Sequence, residues 1–573
     1  MDIKWFCRTK IIKIVINKLS HNMKFSVLVS AVLSFIIVSF LAFAPVDFKI
    51  SSDQYQLPVL KRKADNPIIR IHIFSPVEGS VLTGIRASTK GTTDLKDIKA
   101  ARLYYYGQDT LPGNMETTKA KLMSTVNHVD QELRFESSQV LQKGDNYFWL
   151  SYELADNANI LNFVDASLLS AEIDGENINI TQKDNQVKQR IGVAVRKHKQ
   201  DAVHTSRIPG LATTNKGTLI AVFDARYESG RDLQGHMDIG VHRSEDRGNT
   251  WQPIQIAMDM GEWGGLPQKF NGVSDACILV DKNSNTIYIA GLWMYGVIND
   301  DGQWQENLTQ ASKDWNHQWL TKGSQPGFDV KQTAQFLIVK STDDGKTWSE
   351  PVNITQMGKK KDWWLWAPAP GQGITLRDGT LVFPTQGRDS TGEAFSNITY
   401  SKDGGKTWVS SEPAIGESTT ECMAVELSDG SIMLNMRANS NKGRIDDTNG
   451  RAIATTKDLG KSWTVHPTSH HALIEPVCMA SIIRHDYGKG KKDKSVLLFS
   501  NPNSKTTRHK LTIKHSYDDG MTWSSDSSLL LDALKSRGYS CLTSIDRHTV
   551  GILYESSQAD MVFQAIELKD LLK

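Results

Sequence analysis

Cysteine is scarce in this chain: five occur in 573 residues. Cys7 falls in a segment expected to be removed or held in a membrane. Cys277, Cys422, Cys478 and Cys541 are far apart and form no CxxC pair, which argues against a zinc or redox site and favours use as small buried side chains. One or two disulfides stay open if the chain is exported. An excess of one charge is also missing, because 66 Lys+Arg oppose 64 Asp+Glu for a net +2. Bulk charge therefore points to neither nucleic acid nor a membrane surface. No HExxH spacing and no GxxxxGKS/T phosphate loop occur, and His470-His471 is an isolated pair on a loop. Neither metal nor cofactor chemistry is expected.

Long apolar runs are almost absent. The exception follows Met23-Lys24, from Phe25 to Ala44, and ends Ala42-Phe-Ala44. A positive flank, an apolar core and a small-x-small site make residues 1–45 a signal peptide, with Met23 a candidate true start. The run approaches the roughly 20 residues that span a bilayer, so an uncleaved signal anchor is the alternative. Either way the rest of the chain is expected outside the cytoplasm: secreted, periplasmic or on the cell surface. Membrane contact is expected only if the segment stays uncleaved.

Tryptophan is abundant, at 15 residues, and five of them end a repeated phrase, Ser-x-Asp-x-Gly-x-Thr-Trp. The copies are Ser244-Glu-Asp246-Arg-Gly248-Asn-Thr250-Trp251, Ser341 to Trp348, Ser401 to Trp408, a looser Thr456 to Trp463, and Ser516 to Trp523. Ser and Asp side chains bond the backbone that follows and pre-form a turn, and Gly supplies the positive φ such a turn needs. The Trp packs on the hairpin below. Strand-like runs such as Phe336-Leu-Ile-Val-Lys-Ser precede the copies. The intervals Asp343, Asp403, Asp458, Asp518 are 60, 55 and 60 residues. A fixed period with one hairpin per unit argues for a β-propeller. Residues 191–573 hold about six such periods, so six blades are expected. The first interval, from Asp246 to Asp343, is 97 residues. Its excess is placed at 299–328, a polar stretch with Trp304, Trp315 and Trp319 that reads as a lid or as a surface excursion. Residues 46–190 lack the phrase. Their short β runs, such as Ile68-Ile-Arg-Ile-His-Ile-Phe, suggest an accessory β-sandwich that either binds carbohydrate or packs on the next domain.

The residues between the repeats carry the chemistry. Arg207-Ile-Pro209 opens the propeller region, Arg437 closes Leu434-Asn-Met-Arg437, and Arg508 follows Ser500-Asn-Pro502. Tyr539 lies in Gly538-Tyr-Ser-Cys541 and Glu421 in Thr420-Glu-Cys-Met. With the repeats, these segments resemble the bacterial exo-sialidases (neuraminidases), six-bladed propeller glycosidases, from about residue 200 to the C-terminus. The N-terminal region resembles the β-sandwich that precedes this domain in some secreted members.

The resemblance implies a retaining exo-α-sialidase acting on sialylated glycoproteins, glycolipids or oligosaccharides. Arg207, Arg437 and Arg508 would bind the substrate carboxylate, for which a guanidinium fork is suited. Tyr539 would be the nucleophile and Glu421 its proton acceptor, with Glu426 as competitor. A neutral phenol escapes the repulsion an anionic nucleophile would meet from the substrate's carboxylate. Asp232, six residues beyond Arg226 in a loop, would be the acid/base, and Asp238 is read as structural. Arg226 and Asp275 are further candidate substrate contacts, and Gln335, Gln372 and Trp293 candidate pocket positions. Two alternatives stand: a transglycosylating sialidase using the same residues, and a non-catalytic binding propeller.

Overall fold

The computed structural model describes residues 47–108, 120–180, 187–232, 235–265, 267–295, 324–330, 332–488, 494–525 and 528–572. The expected signal segment 1–45 and most of the long excursion, with Trp304, Trp315 and Trp319, lie outside the described residues. What is described is all-β; its only α-helices are the single turns Thr355–Gly358 and Leu568–Leu571. The four cysteines within it are free and buried.

The N-terminal region forms two sheets. One, of five strands, is ordered Lys49–Asp53, Asn66–Ser75, Gly144–Leu154, Ile98–Gly107 and Lys121–Val126. The other, of four, is ordered Glu176–Asn179, Ser167–Ile173, Val81–Ser88 and Glu132–Val140. Alternation along Asn66–Ser75 buries Ile69, Ile71 and Ile73, and these share one core with Leu82, Ile85 and Phe135 of the other sheet.

Six four-stranded units follow, each packed by its first strand against the unit before it. These first strands are Thr205–Thr213, Asn271–Val280, the broken run Leu365–Pro368 with Gly371–Gln372, then Thr419–Glu426, Ser481–Tyr487 and Ser540–Asp546. Ser540–Asp546 in turn lies against Thr205–Thr213, so the circuit closes. The repeated phrase fills the turn between third and fourth strands of units one to five. Its bonds recur in every copy. In the second, Ser341 Oγ donates to Asp343 Oδ1 at 2.8 Å, Gly345 N to Ser341 Oγ at 2.9 Å and Thr347 N to Asp343 Oδ1 at 2.9 Å. The residue before the glycine is left-handed as well (Asp344, φ 69°; Gly345, φ 76°). The turn thus needs two such residues, not one. Trp463 donates its indole N–H to Glu412 O at 3.1 Å, but Trp251, Trp348 and Trp523 bury this group without a hydrogen bond.

Unit six explains why six units carry five phrases. Its outermost strand, Gln189–Arg196, comes from before unit one and pairs antiparallel with Met561–Glu567. That strand also pairs in parallel with Val59–Lys61 of the N-terminal region, through Ile191↔Val59 and Val193↔Lys61. Leu60 is fully buried among Ala194, Leu542 and Ile552 of the repeat region. Lys63 Nζ donates to Gln558 Oε1 at 2.8 Å. The N-terminal region thus covers what would be an open sheet edge. Leu60→Ala should therefore cost about 2–5 kcal/mol and lower a single, shared melting transition. Two separate transitions, or a loss well below this, would contradict the shared core.

Candidate active site

Each unit bends sharply where its first strand begins. Ile208, Asp275, Gly371, Ser418, Val477 and Gly538 all have positive φ, one per unit. In units one, two and four the pairing also slips, at Arg207/Gly210, Ser274/Cys277 and Thr419/Cys422. Such bulges re-aim side chains, and strained backbone of this kind gathers at functional sites. Gly538 resists substitution on two counts: its φ is 90°, and an added Cβ would stand 2.9 Å from Pro502 Cγ and 3.1 Å from Arg508 Cβ.

The bends turn polar side chains into a cleft of about 280 Å³, where Arg207, Asp232, Asp275, Glu421, Arg437, Arg508 and Tyr539 meet. These are seven of the eleven positions singled out from sequence. The Tyr539 hydroxyl donates to Glu421 Oε1. Arg437 Nη1 bridges the pair, at 2.6 Å from Glu421 Oε2 and 3.2 Å from Tyr539 Oη. Arg207 and Arg508 flank the Tyr539 ring at 5.4 and 5.5 Å from its centroid. Burial, with Glu421 adding to it, holds the Tyr539 phenol well above its ordinary value against the pull of Arg437 and Arg508. The phenol is therefore neutral in the free site.

Asp232 projects from the loop after Leu219–Arg226, its side chain 67% exposed. Its Oδ1 accepts from Arg226 Nη1 at 2.5 Å and Arg207 Nη1 at 3.0 Å. Partial desolvation among the cleft side chains opposes ionisation even though the side chain reaches solvent, but Arg226 and Arg207 outweigh it and hold the group below its ordinary value. Asp275 behaves oppositely. Burial, then Asp224 and Glu421, push its carboxyl well up, leaving a neutral acid that can donate.

Two family models match the chain, a BNR repeat-like domain over 208–529 and the N-terminal domain of BNR-repeat neuraminidase over 48–177. A sialidase of Bacteroides fragilis (strain YCH46) is 40% identical over 540 residues, covering 90% of this chain and 94% of that one. The chain belongs to the sialidase family. It is accordingly a glycoside hydrolase of the exo-α-sialidase class. A Hadza microbial sialidase, Hz136, superposes with TM-score 0.81 at 37% identity, over 91% of this chain and 99% of that one. A leech intramolecular trans-sialidase shares the fold, with TM-score 0.52 at 16% identity over 87% of this chain and 95% of that one.

Four of the candidate positions in this sialidase stand outside the cleft. Arg226 is 2% exposed and lies behind Asp232, with Nη2 2.8 Å from Asp224 Oδ2. Gln335 is buried and spends its amide on Thr333 O at 2.7 Å and Asn353 at 2.9 Å. Trp293 is fully buried, donating to Asn271 Oδ1 at 3.1 Å and packing edge-on to Trp263. Gln372 lines a separate cavity of about 470 Å³ with Thr213, Glu426 and Ser544. Those residues are at the far ends of the first strands, so the cavity is at the opposite mouth of the ring. Glu426 goes with it, accepting from Arg377 N at 3.0 Å, which leaves Glu421 alone beside Tyr539.

Sequence reasoning missed Glu555. Its Oε1 accepts from Arg207 Nε at 2.7 Å and Ile208 N at 3.1 Å, and its Oε2 from Tyr539 N at 3.1 Å. The signal was present, because Glu555 follows the second strand of its unit, Thr549–Tyr554, much as Arg226, Arg388 and Arg437 close or nearly close theirs. Glu555→Gln removes the charge partner of a buried arginine and should cost about 3–5 kcal/mol, read as a lower urea midpoint. An unchanged midpoint would contradict the pairing.

Proposed function

We propose that this chain is a retaining exo-α-sialidase that releases terminal sialic acid from glycoconjugates through a tyrosyl-enzyme intermediate. The observation that carries the reading is the hydrogen bond from the Tyr539 hydroxyl to Glu421, set among Arg207, Arg437 and Arg508. The three guanidiniums hold the substrate's carboxylate and present the anomeric carbon to Tyr539. The phenolic oxygen attacks that carbon while Glu421 takes its proton. The glycosidic bond breaks, and Asp232 gives its proton to the leaving oxygen. In the second half, Asp232 takes a proton from water, whose oxygen attacks the same carbon. The bond to Tyr539 breaks and Glu421 returns the proton. Two displacements retain the configuration. Asp275, a neutral acid at the cleft wall, is suited to donate to a hydroxyl or acyl oxygen of the sugar.

The catalytic units are read as a six-bladed β-propeller and residues 46–190 as a β-sandwich. The closed circuit of first strands and the core shared by the two N-terminal sheets support this. The strand Val59–Lys61 favours a packing role for the N-terminal region over a carbohydrate-binding one. Export through the apolar segment before residue 45 completes the reading.

Asp232 must be protonated for the first step, yet Arg207 and Arg226 hold it ionised in the free site. A substrate carboxylate on Arg207 takes up that positive charge and lets the Asp232 pKa rise. The alkaline limb of kcat should therefore lie at higher pH than that of kcat/KM, measured on a fluorogenic α-sialoside from about pH 2.5 to about pH 8. Coincident limbs would contradict this role for Arg207. Tyr539→Phe should cut kcat at least about 100-fold while the variant still binds a sialic acid analogue in calorimetry. Near-normal turnover would sink the assignment.

A further inference from the structure

The loop that carries Asp232 is anchored by side chains the scheme above does not use. It leaves the strand Leu219–Arg226 at Tyr227 and returns at His236 into Met237–Ser244. Tyr227 N donates to His236 O at 3.3 Å, and the two rings stack 4.1 Å apart. Asp238 follows, buried. Asp259 and Gln268 come from the connection that leads into unit two, after Gln255–Met258. His236 Nε2 lies 3.5 Å from Asp238 Oδ2 and 3.0 Å from the Gln268 amide nitrogen, which is also 3.3 Å from Asp259 Oδ1. One ligating atom from each of His236, Asp238 and Asp259 falls within 4.8 Å of the others.

One observation shows that this cluster is incomplete as it stands. Tyr227 Oη donates to Asp238 Oδ2 at 2.8 Å, but Asp238 Oδ1 is buried without a hydrogen-bond partner. An unpaired buried carboxylate oxygen is costly and calls for an explanation such as an ion. His236 Nε2, 3.0 Å from the Gln268 amide, faces the same carboxylate.

We propose that His236, Asp238 and Asp259 bind one divalent transition-metal cation, which pins the base of the loop carrying Asp232. An imidazole nitrogen with two carboxylates suits a zinc-class ion, whereas calcium and magnesium take all-oxygen shells. The Gln268 amide, turned to present its oxygen, or a water supplies the fourth ligand. The cation would tie the first unit to the connection into the second. It would fix the returning arm of the loop four residues from Asp232, and so the position from which the acid reaches the cleft. This departs from the sequence expectation of no metal. The consequence for Asp232 rests on the proposed acid/base role; the cation site does not.

Calorimetric titration of the chelator-treated full chain with zinc chloride at pH 7 tests the site directly. One saturable site per chain is expected, weakened at least 30-fold in His236→Gln/Asp259→Asn. The exposed single variant Asp259→Asn, which leaves the buried residues intact, should weaken it at least fivefold. Hydrogen exchange reads the loop: zinc should slow amide exchange in residues 227–236 at least fivefold in the parent and not in the double variant. No saturable binding, or equal binding by parent and variants, overturns the site. Loop exchange that responds to pH but not to zinc also overturns it and assigns the gap to a proton shared by His236 and Asp238. Zinc binding with unchanged loop exchange overturns the pinning. Neither measurement reads sialidase turnover, so failure of the catalytic reading leaves both interpretable.

Discussion

The buried carboxylate of Glu555 joins the last unit of the ring to the first. One oxygen holds the Arg207 guanidinium and the Ile208 amide, and the other holds the Tyr539 amide. Arg207 is thereby fixed beside Tyr539 across the seam where the circuit closes. A buried charge tolerates no slack, because each lost contact leaves an uncompensated ion. The same seam is sewn from outside by Gln189–Arg196 and Val59–Lys61. Closure of the ring and geometry of the cleft are consequently one problem with one solution. The left-handed bends at the starts of the first strands add the aim, turning Arg207, Asp275, Glu421 and Tyr539 inward.

The electrostatics follow from that geometry. Four arginines, Arg207, Arg388, Arg437 and Arg508, line a cleft of about 280 Å³, which suits it to an anion and would make an anionic nucleophile a poor choice once the anion is bound. Burial keeps the Tyr539 phenol neutral, with Glu421 placed to accept its proton. Asp232 is the exposed member of the set, on a loop rather than a strand. It can therefore exchange partners as substrate arrives, while Arg226, locked to Asp224 behind it, cannot.

Much of this was legible in the chain, and the reasons differ by feature. The repeated phrase was legible because its bonds are local, all made within four residues of Asp343 or its counterparts. The arginines, Glu421 and Tyr539 were legible because their short contexts match a family. Glu555 was legible in its place after the second strand of its unit but not in its role, since a carboxylate there acquires meaning only from Arg207, nearly 350 residues away. Gln372 stands at the opposite mouth for a related reason. Alternation along a strand says which side chains are buried but not which mouth of the ring they face. The sixth unit hid for a topological reason: its outer strand precedes the first phrase.

The central claim is that the Tyr539 oxygen becomes covalently bound to the sugar, and one measurement reads it directly. The enzyme is incubated with a fluorinated sialosyl fluoride, whose second displacement is slow, then weighed intact and mapped by peptide mass spectrometry. The account predicts one sialosyl adduct per chain, on Tyr539, that decays as activity returns. An adduct on Glu421 or Asp232, or undiminished activity with no adduct at all, would contradict it.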